Sequence, residues 1–308
     1  MNLKRVLMAD SALLGITFVW GTTFIIVQNI LDKLTPLTFN AWRFFFAALF
    51  LVLWQLIIKK KKSGSSIRRY NWKLIASGGL LGCFLFAGYV CQTIGLLYTS
   101  ASNAAFITGL SVVLVPVFSA LLLRKPPQSA AIAGVIFAAI GLFFLTTKGQ
   151  FSLNKGDLIV LVSAVTFALH IIFTAKITEH FNSMSLTIVQ LTAVAILAFV
   201  IGLIFDGGKV IDTHTLFQTD VILVILFMAL FATAFAFLLQ TALQKETPAT
   251  HVGIIYIMEP VFAAWTSVIF QNARLGVGEL TGSLLILIGM LFAEWPGKRG
   301  KHQKVESQ

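Results

Sequence analysis

An acid beside a proline, set in a run of apolar residues, is the first place where this chain invites chemistry. The run is Ile257-Met258-Glu259-Pro260-Val261-Phe262. A carboxylate among hydrocarbon needs a buried partner, a cavity or a proton, and a proline leaves the carbonyl one turn back without its helical donor. Glu259 can therefore titrate a proton or hold a substrate amine, or it can be held neutral or bond the backbone that the proline frees. Arg43, in Phe39-Asn40-Ala41-Trp42-Arg43-Phe44, is the second charge in apolar surroundings. Its planar fork suits a substrate carboxylate; equally it can snorkel outward, bond a carbonyl or pair with Glu259. Trp20, Tyr89, Gln92, Asn103, His170, Gln190, Gln240 and Tyr256 are uncharged polar or amphipathic groups in similar settings. Such groups line a cavity or bond from helix to helix. His170 adds a ring that titrates near neutrality and can relay protons.

The elements that carry these groups follow from composition. Of 308 residues, 57% are hydrophobic and 11% charged, with a mean hydropathy of +0.90. A soluble domain carries about 25% charged residues, so this chain cannot cover a water-facing globule and reads as an integral membrane protein. The net charge of +11 sits in Lys and Arg between and after the apolar runs, where membrane lipid rather than nucleic acid is the partner. Apolar runs of about 20 residues, enough to cross a bilayer, recur roughly ten times. They lie near 10–30, 36–58, 72–97, 101–123 and 128–147, then 157–176, 184–205, 220–243, 249–270 and 276–295. The first follows Lys4 and Arg5 but continues past Ile25 without a small-residue cleavage pattern, and is read as a retained span. Lys33, Lys148, Lys155, Lys209 and Arg274 fall on one side, Arg43 lies within a span, and the remaining Lys and Arg share the side of both termini. Both termini are thus expected in the cytoplasm.

The halves repeat at an offset of about 147 residues, which divides the chain into 1–150 and 151–308. Asp10 matches Asp157, Thr38 matches Ser185 and Arg43 matches Gln190. One residue further out of step, Gln92-Thr93 matches Gln240-Thr241, Ala101 matches Ala249, and Gly134 and Gly141 match Gly282 and Gly289. Pro116-Val117-Phe118 matches Pro260-Val261-Phe262 only at about 144, which implies about one extra helical turn in the first half and makes Val115 the mate of Glu259. The prolines read as hinges or as fixed kinks that make room for a cavity. An odd number of spans per half inverts the second copy, and inverted repeats place a substrate site near the midplane between them. Glu259 would lie about 15 Å deep and Arg43 about 10 Å inside the outer edge.

Trp20-Gly21-Thr22-Thr23-Phe24, Arg43, the Ala101-Ser102-Asn103-Ala104 opening of the fourth span with Pro116, and Glu259-Pro260 resemble the drug/metabolite transporter superfamily, EamA-like family. The resemblance runs from about Ser11 to Phe292. It implies an all-α fold, ten transmembrane helices in two inverted five-helix repeats around a central cavity, and export of small metabolites or drugs without ATP. The pattern departs from the family at the junction of the last two spans, where Gly278-Glu279 lies beyond Gln271-Asn272-Ala273-Arg274. Consistent with that reading, the sequence holds no phosphate-binding Gly-x-x-x-x-Gly-Lys loop, no metal-ligand spacing and no nucleophile–base set, so no cofactor is expected and an enzyme is disfavoured. The expected function is secondary transport of a small solute, with protons as possible co-substrate. A zwitterion such as an amino acid fits Arg43 and Glu259 together, and a passive facilitator is the alternative.

Overall fold

A computed structural model describes residues 3–61, 70–99, 101–123, 129–147, 154–244, 247, 249–271 and 276–294. The described residues form helices and their connections. In the first half these are α1 (Leu3–Ile30), α2 (Pro36–Lys61), α3 (Trp72–Gly95), α4 (Ala101–Gly109), α5 (Ser111–Leu123) and α6 (Ser129–Thr147). The second half has α7 (Lys155–Ile177) and α8 (Ser183–Phe205), then a short surface turn with α9 (Thr213–Leu216). There follow α10 (Thr219–Ala229), a π-helical segment (Leu230–Phe235), α11 (Ala236–Leu243), α12 (Ala249–Tyr256), α13 (Met258–Gln271) and α14 (Val277–Glu294).

Six of the expected spans are unbroken helices long and apolar enough to cross a membrane: Leu7–Ile30, Pro36–Ile58, Trp72–Gly95, Lys155–Ile177, Ser183–Phe205 and Thr219–Leu243. The other four are shorter or interrupted. The fourth breaks at Leu110, between Gly109 and Ser111, both poor helix formers. The ninth breaks at Ile257, three residues before Pro260, whose ring cannot follow an unbroken helical turn. The protein is therefore a multi-pass, all-helical membrane protein, with two spans interrupted midway.

The breaks correct the alignment drawn through the prolines. The breaks fall at Leu110 and Ile257, about 147 residues apart, the same offset as the rest of the repeat. The first half consequently carries no extra turn. Pro116 lies inside α5, whereas Pro260 lies in the first turn of α13, where its missing N–H has no partner to lose. The position equivalent to Glu259 is then Ser111 or Val112 rather than Val115, and the acid is still without an acidic mate.

Packing runs between the halves rather than within them. α1 lies on α12 and α13, while α7, its repeat mate, lies on α4 and α5. α2 packs on α8 and α3 on α7 and α8; α10 and the π segment return the contact to α2. α6 and α14 meet along glycines in a reciprocal way. A Cβ added to Gly141 would stand 2.6 Å from the Gly282 carbonyl oxygen, and one added to Gly289 would stand 2.7 Å from that of Gly134. Gly141 and Gly289 are repeat counterparts, and so are Gly282 and Gly134, whose carbonyls they face, so the contact has two-fold character. Valine at either Gly141 or Gly289 is expected to force the helices apart, costing about 1–3 kcal/mol, and by nearly equal amounts at the two sites. Thermal unfolding of the two variants in detergent checks both size and equality.

The same exchange governs the aspartates that open each half. The Thr247 hydroxyl donates to Asp10 at 3.1 Å, and the Thr99 hydroxyl donates to Asp157 at 2.6 Å. Each threonine precedes the broken span of the half opposite to its aspartate. Asp157 also closes a capping box with Asn154 at the start of α7, which explains why it is buried.

Candidate functional site

Where the two broken spans meet α1, α2, α3, α7 and α11, a cavity of about 740 Å³ remains, counting the space that opens outward. Its wall includes Trp20 and Phe24 from α1, Arg43 from α2, and Tyr89 and Gln92 from α3. Thr108, Gly109 and Ser111 border it at the first break, and Tyr256 and Glu259 at the second. Phe167 and His170 come from α7, Phe237 and Gln240 from α11. Eight of the ten residues that sequence singles out for binding thus converge: Trp20, Arg43, Tyr89, Gln92, His170, Gln240, Tyr256 and Glu259. Gln190 lies one layer behind the wall, and the Asn103 side chain is outside the described residues, as is that of Glu279.

Of the readings open to Arg43, the structure takes the bond to a carbonyl. Its Nε donates to the Thr233 hydroxyl at 2.6 Å and its Nη2 to the Ala232 carbonyl at 3.3 Å. Both partners belong to the π-helical segment. There Thr233 donates to the Met228 carbonyl five residues back, and the Ala232 carbonyl also accepts from Trp20 Nε1 at 2.8 Å. Both acceptors for Arg43 thus lie in the wider π turn, a form that recurs at functional sites. Tyr89, Phe44 and Phe39 surround the guanidinium, with ring centres 4.8, 5.4 and 5.8 Å from its central carbon. Arg43 is 2% exposed.

Glu259 is in a different condition. It stands in the first turn of α13, where unbonded N–H groups and the helix dipole favour a negative charge. Its side chain is half-buried at the cavity wall and forms neither an ion pair nor a hydrogen bond with any described residue. A direct Arg43–Glu259 pair is absent. Gly21 sets the height of this turn, since a Cβ there would stand 2.5 Å from the Glu259 carbonyl oxygen and 2.8 Å from Phe262 Cβ. Trp20-Gly21 in sequence therefore serves two contacts, an indole bond to the π segment and a seat for α13. Gly21→Ala is expected to lift α13 and destabilise the protein by about 1–3 kcal/mol, which thermal unfolding would read.

The remaining polar groups divide into bonded and free. Gln92 Nε2 donates to the Thr108 hydroxyl at 3.1 Å. His170 Nε2 lies 3.0 Å from Gln190 Oε1 and 3.3 Å from the Thr174 hydroxyl, while Gln190 Nε2 donates to Thr241 at 3.1 Å. His170 and Gln190 thus tie α7, α8 and α11 together. Gln240 Oε1 and the Tyr256 hydroxyl are buried without a hydrogen-bond partner among the described residues. The aromatic wall is continuous. Trp20 meets Tyr256 at 5.1 Å and Phe237 at 5.5 Å, and Tyr89 meets Phe167 at 5.1 Å.

The repeat makes the cavity's asymmetry visible. Its lining extends to Val27 and Leu96, at the ends of α1 and α3. Their counterparts in the second half, Thr174 and Gln244, are buried and take no part in it. There Gln244 Nε2 donates to the Ile171 carbonyl at 3.4 Å, bridging the ends of α7 and α11. The lining reaches the ends of α1 and α3 but not the residues equivalent to Val27 and Leu96 in the second half. Thr233, Ser111 and Phe237 are wall or support residues that sequence reasoning passed over; the one available signal was Thr233, a lone hydroxyl within Leu230-Phe231-Ala232-Thr233-Ala234-Phe235.

A multi-pass helical bundle with a polar cavity between interleaved halves is the architecture of a membrane carrier. The model of the EamA-like transporter family matches residues 7–147 and again 154–295, and the chain belongs to that family. An uncharacterized transporter of Archaeoglobus fulgidus is 33% identical over 292 residues, covering 94% of this chain and 86% of the relative. The uncharacterized transporter YyaM of Bacillus subtilis is 26% identical over 287 residues, 91% of this chain and 92% of its own. A crystal structure with 16% identity matches the fold with a TM-score of 0.75, over 96% of this chain and all of its own. The protein is a membrane transporter.

Proposed function

We propose that this transporter is a secondary carrier that exports small metabolites, amino acids or related compounds, or drugs, across the plasma membrane by alternating access. The observation that carries the reading is the cavity itself, which holds a carboxylate unbonded to any described residue and whose lining reaches only one of two repeat-equivalent ends. In this proposal ten helices cross the membrane as two inverted repeats, 1–150 and 151–308, and both termini are cytoplasmic. The end at Gln244 and Ile171 is then the closed inner gate, and the end at Val27 and Leu96 faces outward. Exchange of the two closures would present Glu259 to each side in turn. Protons are the proposed coupling ion, because Glu259 is the one cavity carboxylate among the described residues and its charge is not committed to a partner. Nothing in this scheme calls for a cofactor or a covalent step, so the reading is of a carrier and not an enzyme.

The test is counterflow in proteoliposomes. Vesicles loaded with an unlabelled amine or amino acid are diluted into a trace of the labelled compound, and a carrier gives transient accumulation of label. Saturable uptake with overshoot supports alternating access. Flux that rises linearly with concentration and shows no overshoot would instead identify a passive pore.

A further inference from the structure

We infer that the cavity recognises a cationic amine attached to an apolar ring, and that it discriminates against the amino acid bearing the same side chain. This rests on the reading of the cavity as the substrate site and deepens it. The decisive observation is an inequality between the two charged groups in the wall. Arg43 offers a carboxylate ligand little: its Nε and Nη2 already serve Thr233 and the Ala232 carbonyl, three rings enclose it, and it is 2% exposed. Glu259 has neither an ion pair nor a hydrogen bond to any described residue, and it is the more exposed of the two.

The other uncommitted polar atoms match an ammonium. Gln240 and Tyr256 line the same cavity, and the Gln240 Oε1 and Tyr256 hydroxyl oxygens have no hydrogen-bond partner among the described residues. An ammonium carries three N–H donors and no acceptor, which Glu259, Gln240 and Tyr256 can take up between them. Charge-assisted bonds of this kind are the strong ones, and they gain further where water is excluded. Trp20, Tyr256 and Phe237 form adjoining faces that receive a ring and also attract a cation. A carboxylate on the same ligand would meet Glu259 as a like charge. The amino acid is therefore penalised by that repulsion and by the desolvation of its carboxylate.

Binding to the purified full-length protein in nanodiscs, read by calorimetry, decides the matter with four probes of one shape: phenethylamine, phenylalanine, 3-phenylpropionate and 2-phenylethanol. Phenethylamine is expected to bind about tenfold or more tightly than phenylalanine, with 3-phenylpropionate weakest, as the loss of a charge-assisted bond implies. Glu259→Gln should cost the amine about tenfold or more and the neutral alcohol less than about threefold, since only the amine depends on the charge. Thermal unfolding of Glu259→Gln at the wild-type temperature excludes misfolding as the cause. Equal or tighter binding of phenylalanine overturns the inference, as does wild-type amine affinity in Glu259→Gln, or failure of all four probes to bind. Should the amine bind as expected while counterflow fails, the recognition stands and the carrier reading falls.

Discussion

Replacing Glu259 with glutamine is expected to abolish accumulation of substrate driven by a pH gradient, while the yield of folded protein stays at the wild-type level. The two halves of this expectation have separate physical origins. Glutamine nearly preserves shape, and the carboxylate it replaces bonds no described residue, so folding has little to register. Removing an unbonded charge from membrane depth relieves a cost instead of imposing one. Coupling, by contrast, needs a group that gains and loses a proton, and a primary amide does neither at physiological pH. The measurement is uptake into proteoliposomes under an imposed pH gradient, with driven accumulation expected to fall about tenfold or more, toward the level of empty vesicles. If Glu259→Gln still concentrates substrate against its gradient, coupling lies elsewhere in the protein.

The second large effect concerns Arg43. A charge swap, Arg43→Glu with Glu259→Arg, is expected to rescue nothing. Were the two residues an ion pair, reversal would restore it. The groups that Arg43 donates to in the π segment are both acceptors toward it, the Ala232 carbonyl and the Thr233 oxygen, whose own proton goes to the Met228 carbonyl. A glutamate at 43 is an acceptor as well and would face them with nothing to donate. Arg43→Glu alone should therefore cost about 3–5 kcal/mol, the scale of an uncompensated buried charge, and show as lost folded yield. Arg43→Gln, which copies the repeat mate Gln190, keeps a donor and should be milder. Thermal unfolding ranks the three variants, and recovery of stability or transport in the double swap would disprove the anchoring role.

Much of this was written legibly in the sequence, and the part that was not has definable causes. The spans follow from apolar length, and the membrane class from the scarcity of charge. The repeat was visible because Asp10 with Asp157 and Gly141 with Gly289 are fixed by packing that both halves share. The proline match misled, because Pro-Val-Phe recurs in both broken spans at different depths, and only the positions of the breaks reveal the shift. The clustering of Trp20, Tyr89, Gln92, His170, Gln240, Tyr256 and Glu259 could be guessed, since polar groups at membrane depth seek one another or a cavity. A carbonyl bond was among the readings open to Arg43, but the choice of partner was not legible. It depends on a π turn between Leu230 and Phe235, and a change in hydrogen-bond register leaves no composition signal in a run of alanine, leucine and phenylalanine.

The reciprocal glycine contact of α6 and α14, with α1 and α7 traded across the molecule, means that a single half has no core of its own. Its buried faces are shaped for the other half, yet the other half is built on the same plan. A half expressed alone would have to find a second copy of itself lying upside down, and would then carry either two acids at its centre or none. Joining the copies in one chain removes that restriction. Glu259 and Arg43 are asymmetric because tethering lets each side of the cavity change without its mirror image changing too.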